Sequence, residues 1–305
     1  MSNKTLIIVL AILAVITVII YFPSGNKTER SFKTNLVDID SSAVTEIIIS
    51  PKSMKGKSFK VFKDGNDWKV TLENGKTAIV PKDKAKRLID QILTIKPKRL
   101  AGRSKAKWSE FEVDDSSATR IVVKEGGSTT LDIMIGKFLF QQPRSVSTYV
   151  RLSDDNDVYL VDGFLSMSFN QKPNSYRDNI VIKGDRNIWD KLVFNYSADS
   201  SFQMTKVDGK WMSNNTKLDS AKTAKYLSQL SRLTNSNYID DFNPESKSPD
   251  YELIISAHDS TIATVNGYQV DSLFVVNSSM NKESFFDASK NKFMEKLFIG
   301  LNSLK

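Results

Sequence analysis

The chain has 305 residues, of which 40% are hydrophobic, and it contains no cysteine. That length suffices for two domains of ordinary size, and the hydrophobic fraction excludes a disordered chain. Without cysteine, disulfides, zinc–thiolate sites and thiol nucleophiles are also excluded. The formal net charge of +8 arises in the first part of the chain: residues 1–180 carry 28 basic and 20 acidic side chains, whereas residues 181–305 carry 15 of each.

An apolar segment follows a short N-terminal tail of residues 1–5. Residues 6–22 are apolar except for Thr17, which is at the short end of the roughly 17–25 residues that span a bilayer. A cleaved signal peptide is the alternative, but its core usually has about 7–15 residues, and no small-x-small cleavage site follows here. We therefore predict an uncleaved transmembrane anchor over residues 6–22 and a linker over residues 23–40. A short tail before a long soluble part is typical of a signal anchor, which places the rest of the chain outside the cytoplasm.

The next part of the chain predicts strands, then a helix, then further strands. Val44–Ser50 has the composition of a strand, and an Asp-Gly turn between Phe59 and Trp68 predicts a hairpin. Pro81 is well placed to begin a helix. Its apolar face is predicted to contain Ala85, Leu88, Ile89 and Ile92. Further strands are predicted at 118–123, 131–135, 148–152 and 158–160, and a closing helix at 163–169.

The same order returns in the second part of the chain. Residues 58–68 align without a gap on residues 201–211, with Ser, Phe, Lys and Trp at matching positions and an offset of 143. Further strands are predicted at 192–196, 252–256, 261–265, 272–276 and 284–286. A helix capped by Asp219 or Ser220 is predicted to have the apolar stripe Ala224, Leu227, Leu230 and Leu233. A last helix is predicted at 291–304, with Phe293, Leu297, Leu301 and Leu304 on one face. Duplicated core-like residues indicate architecture rather than an active site. We therefore predict an α+β fold with two copies of one module, residues 41–183 and 184–305, each an antiparallel sheet covered by helices.

The residues that could carry catalysis or bind a metal are better explained as turns. His258 is the only histidine of the sequence and falls in a predicted hairpin turn. Ser104 and Lys107 match a Ser-x-x-Lys spacing, but the companion motifs of such nucleophiles are absent. Residues 154–157 resemble a fragment of a calcium loop without its mid-loop Gly and terminal Glu, so a tight turn is favoured. Glycine loops that bind phosphate are also missing. We predict no catalytic site, no metal and no cofactor.

A basic stretch is the strongest candidate for binding. No acidic residue interrupts it between Asp90 and Glu110. It contains Lys96, Lys98, Arg99, Arg103, Lys105 and Lys107. Such a stretch could bind anionic lipid, an acidic partner or an anionic envelope polymer. The alternative is a solvated edge strand, whose lysines discourage aggregation. Nucleic acid is not expected as a partner, because no aromatic residues are interleaved with the lysines and arginines of this stretch.

The two repeated tryptophans allow two interpretations. Trp68 and Trp211 each follow a hairpin turn and keep the same spacing to Phe59 and Phe202. An aromatic residue after a turn could stack on a sugar. The preserved spacing favours a core or cross-strand role instead.

The order of several motifs resembles the bacterial family called domain of unknown function 4340, from Phe32 to the C-terminus. The motifs are Asp64-Gly65-x-x-Trp68 with the Pro81 helix, Ile133-x-Ile135-Gly136, Thr148-Tyr149-Val150-Arg151 with Val158-Tyr159, and Arg177 within Ser175-Tyr176-Arg177-Asp178. One departure is that the Gly-Leu-Asp of the family reads Phe111-Glu112-Val113-Asp114 here. The resemblance implies a single-span, periplasm-facing protein encoded beside ABC transporters of the gliding-motility type. It supplies no catalytic residues, and Arg151, Tyr159 and Arg177 would be structural.

These observations together predict a protein that binds and does not catalyse. It would be an accessory or scaffolding subunit of an ABC transport system, held in the inner membrane by its anchor, with its C-terminal part in the periplasm. Its partners would be the permease and ATPase subunits, and inner-membrane lipid around the anchor. The alternative is a module that binds envelope glycan or peptidoglycan, for which Trp68, Trp211 and the basic stretch would have to be exposed.

Overall fold

The computed structural model describes residues 33–141, 145–197, 200–244 and 247–305. The predicted anchor at 6–22 lies outside these residues. Within the described ranges, every helix is too short or too polar to cross a bilayer. The fold is dominated by antiparallel strands in three sheets, with few helices. The prediction of an α+β fold is therefore confirmed in its coarse form, with a larger share of strand than expected.

The first sheet contains nine strands in the order β4-β3-β2-β1-β6-β7-β8-β9-β5. Its strands are β1 (Val44–Ser50), β2 (Phe59–Asp64), β3 (Asp67–Thr71), β4 (Thr77–Val80), β5 (Pro97–Gly102), β6 (Thr119–Glu125), β7 (Ser128–Gln141), β8 (Ser145–Leu152) and β9 (Val158–Asp162). Around β8 and β9, side chains on both faces of this sheet are buried. Val150, Tyr159 and Val161 lie in the main core, whereas Tyr149, Val158 and Leu160 lie in a smaller cluster on the other side. This alternation follows from the two-residue period of strands.

The second sheet contains eight strands in the order β14-β13-β12-β11-β16-β17-β18-β19. Its strands are β11 (Lys191–Tyr196), β12 (Phe202–Val207), β13 (Lys210–Ser213), β14 (Thr216–Lys217), β16 (Tyr251–Ala257), β17 (Ser260–Val270), β18 (Leu273–Ser278) and β19 (Asn281–Asp287). The third sheet pairs β10 (Ile180–Lys183) with β15 (Arg232–Thr234). Val181 and Ile182 of β10 pack in the core of the second sheet, on the N-terminal side of the boundary predicted at 183/184. The residue limits of the two copies stay predictions.

The repeat seen in the sequence is matched by strand order and by register. The series β4-β3-β2-β1-β6-β7-β8-β9 corresponds strand by strand to the whole second sheet. Lys63 pairs with Trp68 across β2 and β3, and Lys206 pairs with Trp211 across β12 and β13. The two large sheets are thus copies of one arrangement, and they differ at one edge, where β5 extends the first sheet beyond β9.

The described helices are short apart from two. They are α1 (Lys82–Leu93), α2 (Trp108–Phe111), α3 (Leu165–Phe169), α4 (Ser220–Leu230) and α5 (Phe293–Leu297), with 3₁₀ turns at Lys52–Met54, Lys105–Lys107, Pro173–Ser175 and Leu301–Leu304. The predicted apolar face of α1 is confirmed, because Ala85, Leu88, Ile89 and Ile92 are all buried. Pro81 is the residue that caps this helix.

The buried face of α4 differs from the predicted stripe. Leu227 and Leu230 are buried as expected, but Ala224 is exposed and Leu233 belongs to β15. Tyr226 takes the buried position instead. It can do so because its hydroxyl donates a hydrogen bond to the Leu297 carbonyl at 2.7 Å, which satisfies its polar atom inside the core.

The predicted C-terminal helix at 291–304 is wrong as one element. It consists of α5 and a separate 3₁₀ turn, and Phe298 between them has an extended backbone. The ring of Phe298 packs 5.3 Å from that of Tyr251. A Cβ at Gly267 would come within 2.8 Å of this ring. The helix ends because Phe298 enters an aromatic cluster on the second sheet. The first closing helix likewise begins only at Leu165, after Gly163 with φ +95.

Candidate functional site

An exposed aromatic patch lies at one end of the first sheet. We define it as Phe138, Phe140, Phe164 and Met167, which are 38%, 67%, 40% and 58% exposed. The rings of Phe138 and Phe140 are 5.3 Å apart, and each lies 5.7 Å from Phe164, all edge to face. Single exposed apolar residues are ordinary, whereas contiguous exposed apolar groups are the usual candidates for interaction surfaces.

Sheet hydrogen bonds hold the patch in place. The register of β7 against β8 shifts between Ile135 and Phe138, after which Phe138 pairs with Thr148. The buried Thr148 hydroxyl donates to the Gly163 carbonyl at 2.6 Å and accepts from the Leu165 amide. Gly163 also donates its amide to Val146 at 2.8 Å. The turn that contains Phe164 is therefore hydrogen-bonded to β8, which holds its ring next to those of Phe138 and Phe140.

A polar cavity of about 540 Å³ adjoins the patch and shares Phe138 and Met167 with it. On its wall, Lys52 Nζ and Glu112 Oε2 form an ion pair at 2.7 Å. The Lys52 amide donates to Thr119 Oγ1. Ser166 Oγ is buried without a hydrogen-bond partner among the described residues. Buried polar atoms are normally paired, so the Ser166 hydroxyl is an exception within the wall of this cavity.

The departure from the family motif lies on the same wall. Glu112, which stands two residues before Asp114 where the motif has Gly, has a left-handed backbone with φ +56. A non-glycine residue in this region costs roughly 1 kcal/mol. The Glu112 side chain binds Lys52, which partly offsets this cost and adds a carboxylate to the cavity.

Asp114 organises the turn beneath this wall and leads to a pH-dependent prediction. Hydrogen bonds from the hydroxyls of Ser116 and then Ser117 lower the pKa of Asp114 to about 2. Since the unfolded value is about 3.9, the contribution of the carboxylate is complete above about pH 4 and is lost as the pH falls through about 2. Because Asp114 is partly solvated, we expect Asp114→Asn to lower the free energy of unfolding by only about 1 kcal/mol at pH 7. Urea denaturation between pH 2 and 7 should show this difference disappear at the acidic end. The exposed Asp115→Asn is the control, and a pH-independent effect of Asp114→Asn would contradict the assignment.

The six basic residues of the basic stretch are all exposed, and none of them lines this cavity. Lys98 and Arg99 lie on β5, the edge strand of the first sheet, which agrees with the edge-strand interpretation. Lys98 pairs with Asp162 at 2.6 Å, and Lys107 pairs with Glu110 at 2.9 Å. Lys105 lies 5.2 Å from the Trp108 ring. Anion or partner binding by the full set (Lys96, Lys98, Arg99, Arg103, Lys105 and Lys107) stays a prediction.

The residues considered for catalysis or metal binding are dispersed. His258 occupies the turn between β16 and β17 with φ +49 and is exposed. Ser104 Oγ accepts a hydrogen bond from the Ala106 amide, while Lys107 binds Glu110. Residues 154–157 form the turn between β8 and β9, where Asp155 pairs with Lys33 at 2.8 Å. The described part of the chain contains no cluster of three or more potential metal ligands from His, Cys, Asp and Glu.

The arginines singled out by the family motifs make structural contacts. Arg151 is buried and donates to the carbonyls of Val113, Leu152, Ser153 and Asp155. Its guanidinium lies 3.6 Å from the centre of the Trp108 ring. Arg177 is buried against Asp240 of the second half, at 2.8 Å. Tyr159 is fully buried in the main core of the first sheet.

The two repeated tryptophans differ in their surroundings. Trp68 is buried in the first core, which confirms the core interpretation for this residue. Trp211 is only partly buried and lines a cavity of about 270 Å³. The equal spacing in the sequence could not reveal this difference, because it depends on what packs over each ring.

Sequence reasoning missed the aromatic patch. Phe138 and Phe140 alternate along β7, as residues that face a core would. A weak signal was available in the flanking Lys137 and Gln141 and in the glycine at 163, which places Phe164 at a turn.

Comparison with known proteins gives a family but no characterised relative. Neither a curated protein nor a solved structure matches the chain. The model of the family described as "Domain of unknown function (DUF4340)" matches residues 71–253. The match covers more than half of the sequence and includes the aromatic patch, Arg177 and the residues that line the polar cavity apart from Lys52. The chain therefore belongs to the DUF4340 family.

Proposed function

We propose that this protein is a non-catalytic accessory subunit of an ABC transport system. Residues 6–22 anchor it in the inner membrane, and its C-terminal part lies in the periplasm. It binds partner subunits or cargo through the aromatic patch. The exposed, mutually packed rings of Phe138, Phe140 and Phe164 are the observation that carries the binding role in this proposal.

The composition of the patch suits a protein partner. Aromatic residues and methionine are enriched at protein interfaces and supply much of their binding energy. The rings are held by the β7–β8 ladder and by Thr148, so little order would be lost on binding. The adjoining cavity adds hydrogen-bonding groups at the rim, among them Lys52 and Glu112.

The chemistry around the patch supports binding without catalysis. Lys52 and Glu112 neutralise one another at 2.7 Å, and the described residues that line the cavity include neither histidine nor a paired nucleophile and base. The ABC partners and the periplasmic location rest on the apolar segment at 6–22 and on the family resemblance, and they are part of the proposal.

The test is affinity purification of the C-terminally tagged full chain from gently solubilised, lightly cross-linked membranes, followed by mass spectrometry. We expect permease and ATPase subunits to be recovered above an anchor-only control. The variant Phe138→Ser/Phe140→Ser/Phe164→Ser should reduce their recovery at least tenfold, since each lost hot-spot aromatic residue costs more than about 1 kcal/mol.

The matched control is Ile188→Ser/Val207→Ser, which removes two apolar side chains of similar exposure (46% and 52%) in the second half. It should leave recovery unchanged, and circular dichroism should show all variants folded. Equal recovery with the triple variant would exclude the patch as the docking surface. Recovery of wall material without transporter subunits would exclude the transport assignment.

The second candidate function is binding of envelope glycan. The open position of Trp211 favours it, because an accessible indole can stack on a sugar ring. The buried Trp68 gives it no support. Sedimentation with purified peptidoglycan separates the two functions: the triple Phe variant should still sediment if glycan is bound at Trp211.

A further inference from the structure

The cavity beside Trp211 is strongly basic. Arg186, Lys206 and Lys210 line it together with the indole, and Leu218 and Leu227 form its apolar floor. The described lining contains no carboxylate. Two nearby carboxylates are engaged with the backbone, since Asp185 accepts from the Asn187 amide and Asp219 from the Lys222 amide. The cavity thus concentrates positive charge next to an aromatic wall.

The bases are positioned yet keep donors available. Lys206 Nζ donates to the Asn187 carbonyl at 3.2 Å, and Arg186 Nη1 donates to the Ala224 carbonyl at 2.8 Å. A guanidinium has five N–H donors and an ammonium has three. Among the described residues, none of the three bases forms an ion pair with a carboxylate. Their charge is therefore available to a ligand.

A comparison with the first copy of the module shows which side chains of this cavity differ between the two copies. Lys63 corresponds to Lys206, because it pairs with Trp68 as Lys206 pairs with Trp211. It also donates to the Ser42 carbonyl as Lys206 donates to Asn187. By this correspondence the positions of Lys210 and Arg186 are Asp67 and Ser41 in the first copy.

The three corresponding positions therefore carry one basic and one acidic side chain in the first copy but three basic side chains in the second. In the first copy the indole is also covered, with Trp68 only 8% exposed. A purely structural role would not explain why charge and access both differ at corresponding positions. The differences occur together around one cavity, as expected for a ligand site.

We propose that this cavity binds a small cyclic anion, such as a sugar that carries a carboxylate or a phosphate. The ring lies on the Trp211 indole, and Arg186, Lys206 and Lys210 hold the anionic group. The volume of about 270 Å³ suits one sugar unit. Stacking on an aromatic face and charge-assisted hydrogen bonds are the two interactions that recognise such a ligand. The site is separate from the aromatic patch and does not depend on the transport assignment.

The test is isothermal titration calorimetry of the full chain in mild detergent. Glucuronate and glucose 6-phosphate are the charged probes and distinguish a carboxylate from a phosphate ligand. Glucose is the neutral probe, and inorganic phosphate is the probe without a ring. We expect saturable binding of at least one charged sugar, and about tenfold weaker binding of both glucose and inorganic phosphate, because each lacks one of the two interactions.

Lys206→Gln and Lys210→Gln should each weaken binding about tenfold, which is the effect of losing one charge-assisted contact. Lys63→Gln, the corresponding change in the first copy, is the matched control and should have no effect. Lys210 is exposed, so its variant keeps the test valid if Lys206→Gln unfolds. Binding of inorganic phosphate as tight as that of the charged sugar that binds, equal effects of Lys63→Gln and Lys206→Gln, or no saturable binding of either charged sugar would each overturn the proposal.

Discussion

Gly136→Ala is expected to lower the free energy of unfolding by about 3 kcal/mol or more. A Cβ at this position would lie 2.2 Å from the Phe111 carbonyl oxygen and 2.7 Å from Val113 Cγ1. Overpacking of a side chain typically costs about 1–3 kcal/mol, and here the obstacle is backbone. That backbone cannot easily withdraw, because the Val113 carbonyl accepts two hydrogen bonds from the buried Arg151.

Urea denaturation followed by circular dichroism measures this effect. Gly300→Ala is the matched control, since a Cβ there has nothing within 4 Å and its φ of −84 suits alanine. We expect the control to be neutral or slightly stabilising. A Gly136→Ala variant as stable as the control would show that β7 and the segment after α2 can separate without cost. Gly136 also lines the polar cavity together with Phe138, so Gly136→Ala should also disturb the part of β7 that carries the aromatic patch.

Arg177→Met is expected to destabilise the protein by about 2–4 kcal/mol. The Arg177 guanidinium is buried, donates to both carboxylate oxygens of Asp240 at 2.8 and 3.1 Å, and lies 3.8 Å from the Tyr238 ring centre. Removing one partner of a buried ion pair costs about 3–5 kcal/mol, because the other charge stays behind. Asp240 is 26% exposed, and this partial solvation moves the expected value towards the lower end.

The double variant Arg177→Met/Asp240→Asn should recover part of the loss, because it leaves no unpaired carboxylate. Arg120→Met is the control, since it breaks a more exposed ion pair with Asp132 on the first sheet and should cost about 1 kcal/mol or less. Limited proteolysis should detect faster cleavage between the two halves in Arg177→Met alone. Equal stability of Arg177→Met and Arg120→Met would show that Arg177 does not join the halves.

Local patterns in the sequence were sufficient for the repeated hairpins and for α1. An Asp-Gly pair beside alternating apolar residues predicts each hairpin, and Pro81 together with a clear apolar face predicts α1. These features depend on neighbours within one element. The broken C-terminal helix could not be read in this way, because Phe298 leaves the helical pattern for a contact with Tyr251 on another element.

The candidate sites were less predictable than the fold. Phe138 and Phe140 have the pattern of core residues, and only the absence of a covering element in the described structure distinguishes them. Trp211 has the same sequence context as Trp68, and its greater exposure to solvent depends on which parts of the chain pack around the indole. Lys210 in place of Asp67 was visible in the alignment of the two copies, but its meaning required the cavity.

The different edges of the two sheets determine how the duplication ends. β4 of the first sheet lies beside β19 of the second, and Asp178 joins them by donating its amide to Ile79 and accepting from Asn281. This contact is head to tail, and head-to-tail contacts can propagate into open filaments. Propagation would require β9, the counterpart of β19, to be free on the first sheet. β5 covers β9 and presents Lys98 and Arg99 outwards, while the opposite edge, β14, has only two residues. Neither outer edge of the two described sheets is therefore a long, unprotected strand on which a further copy of this arrangement could easily be added.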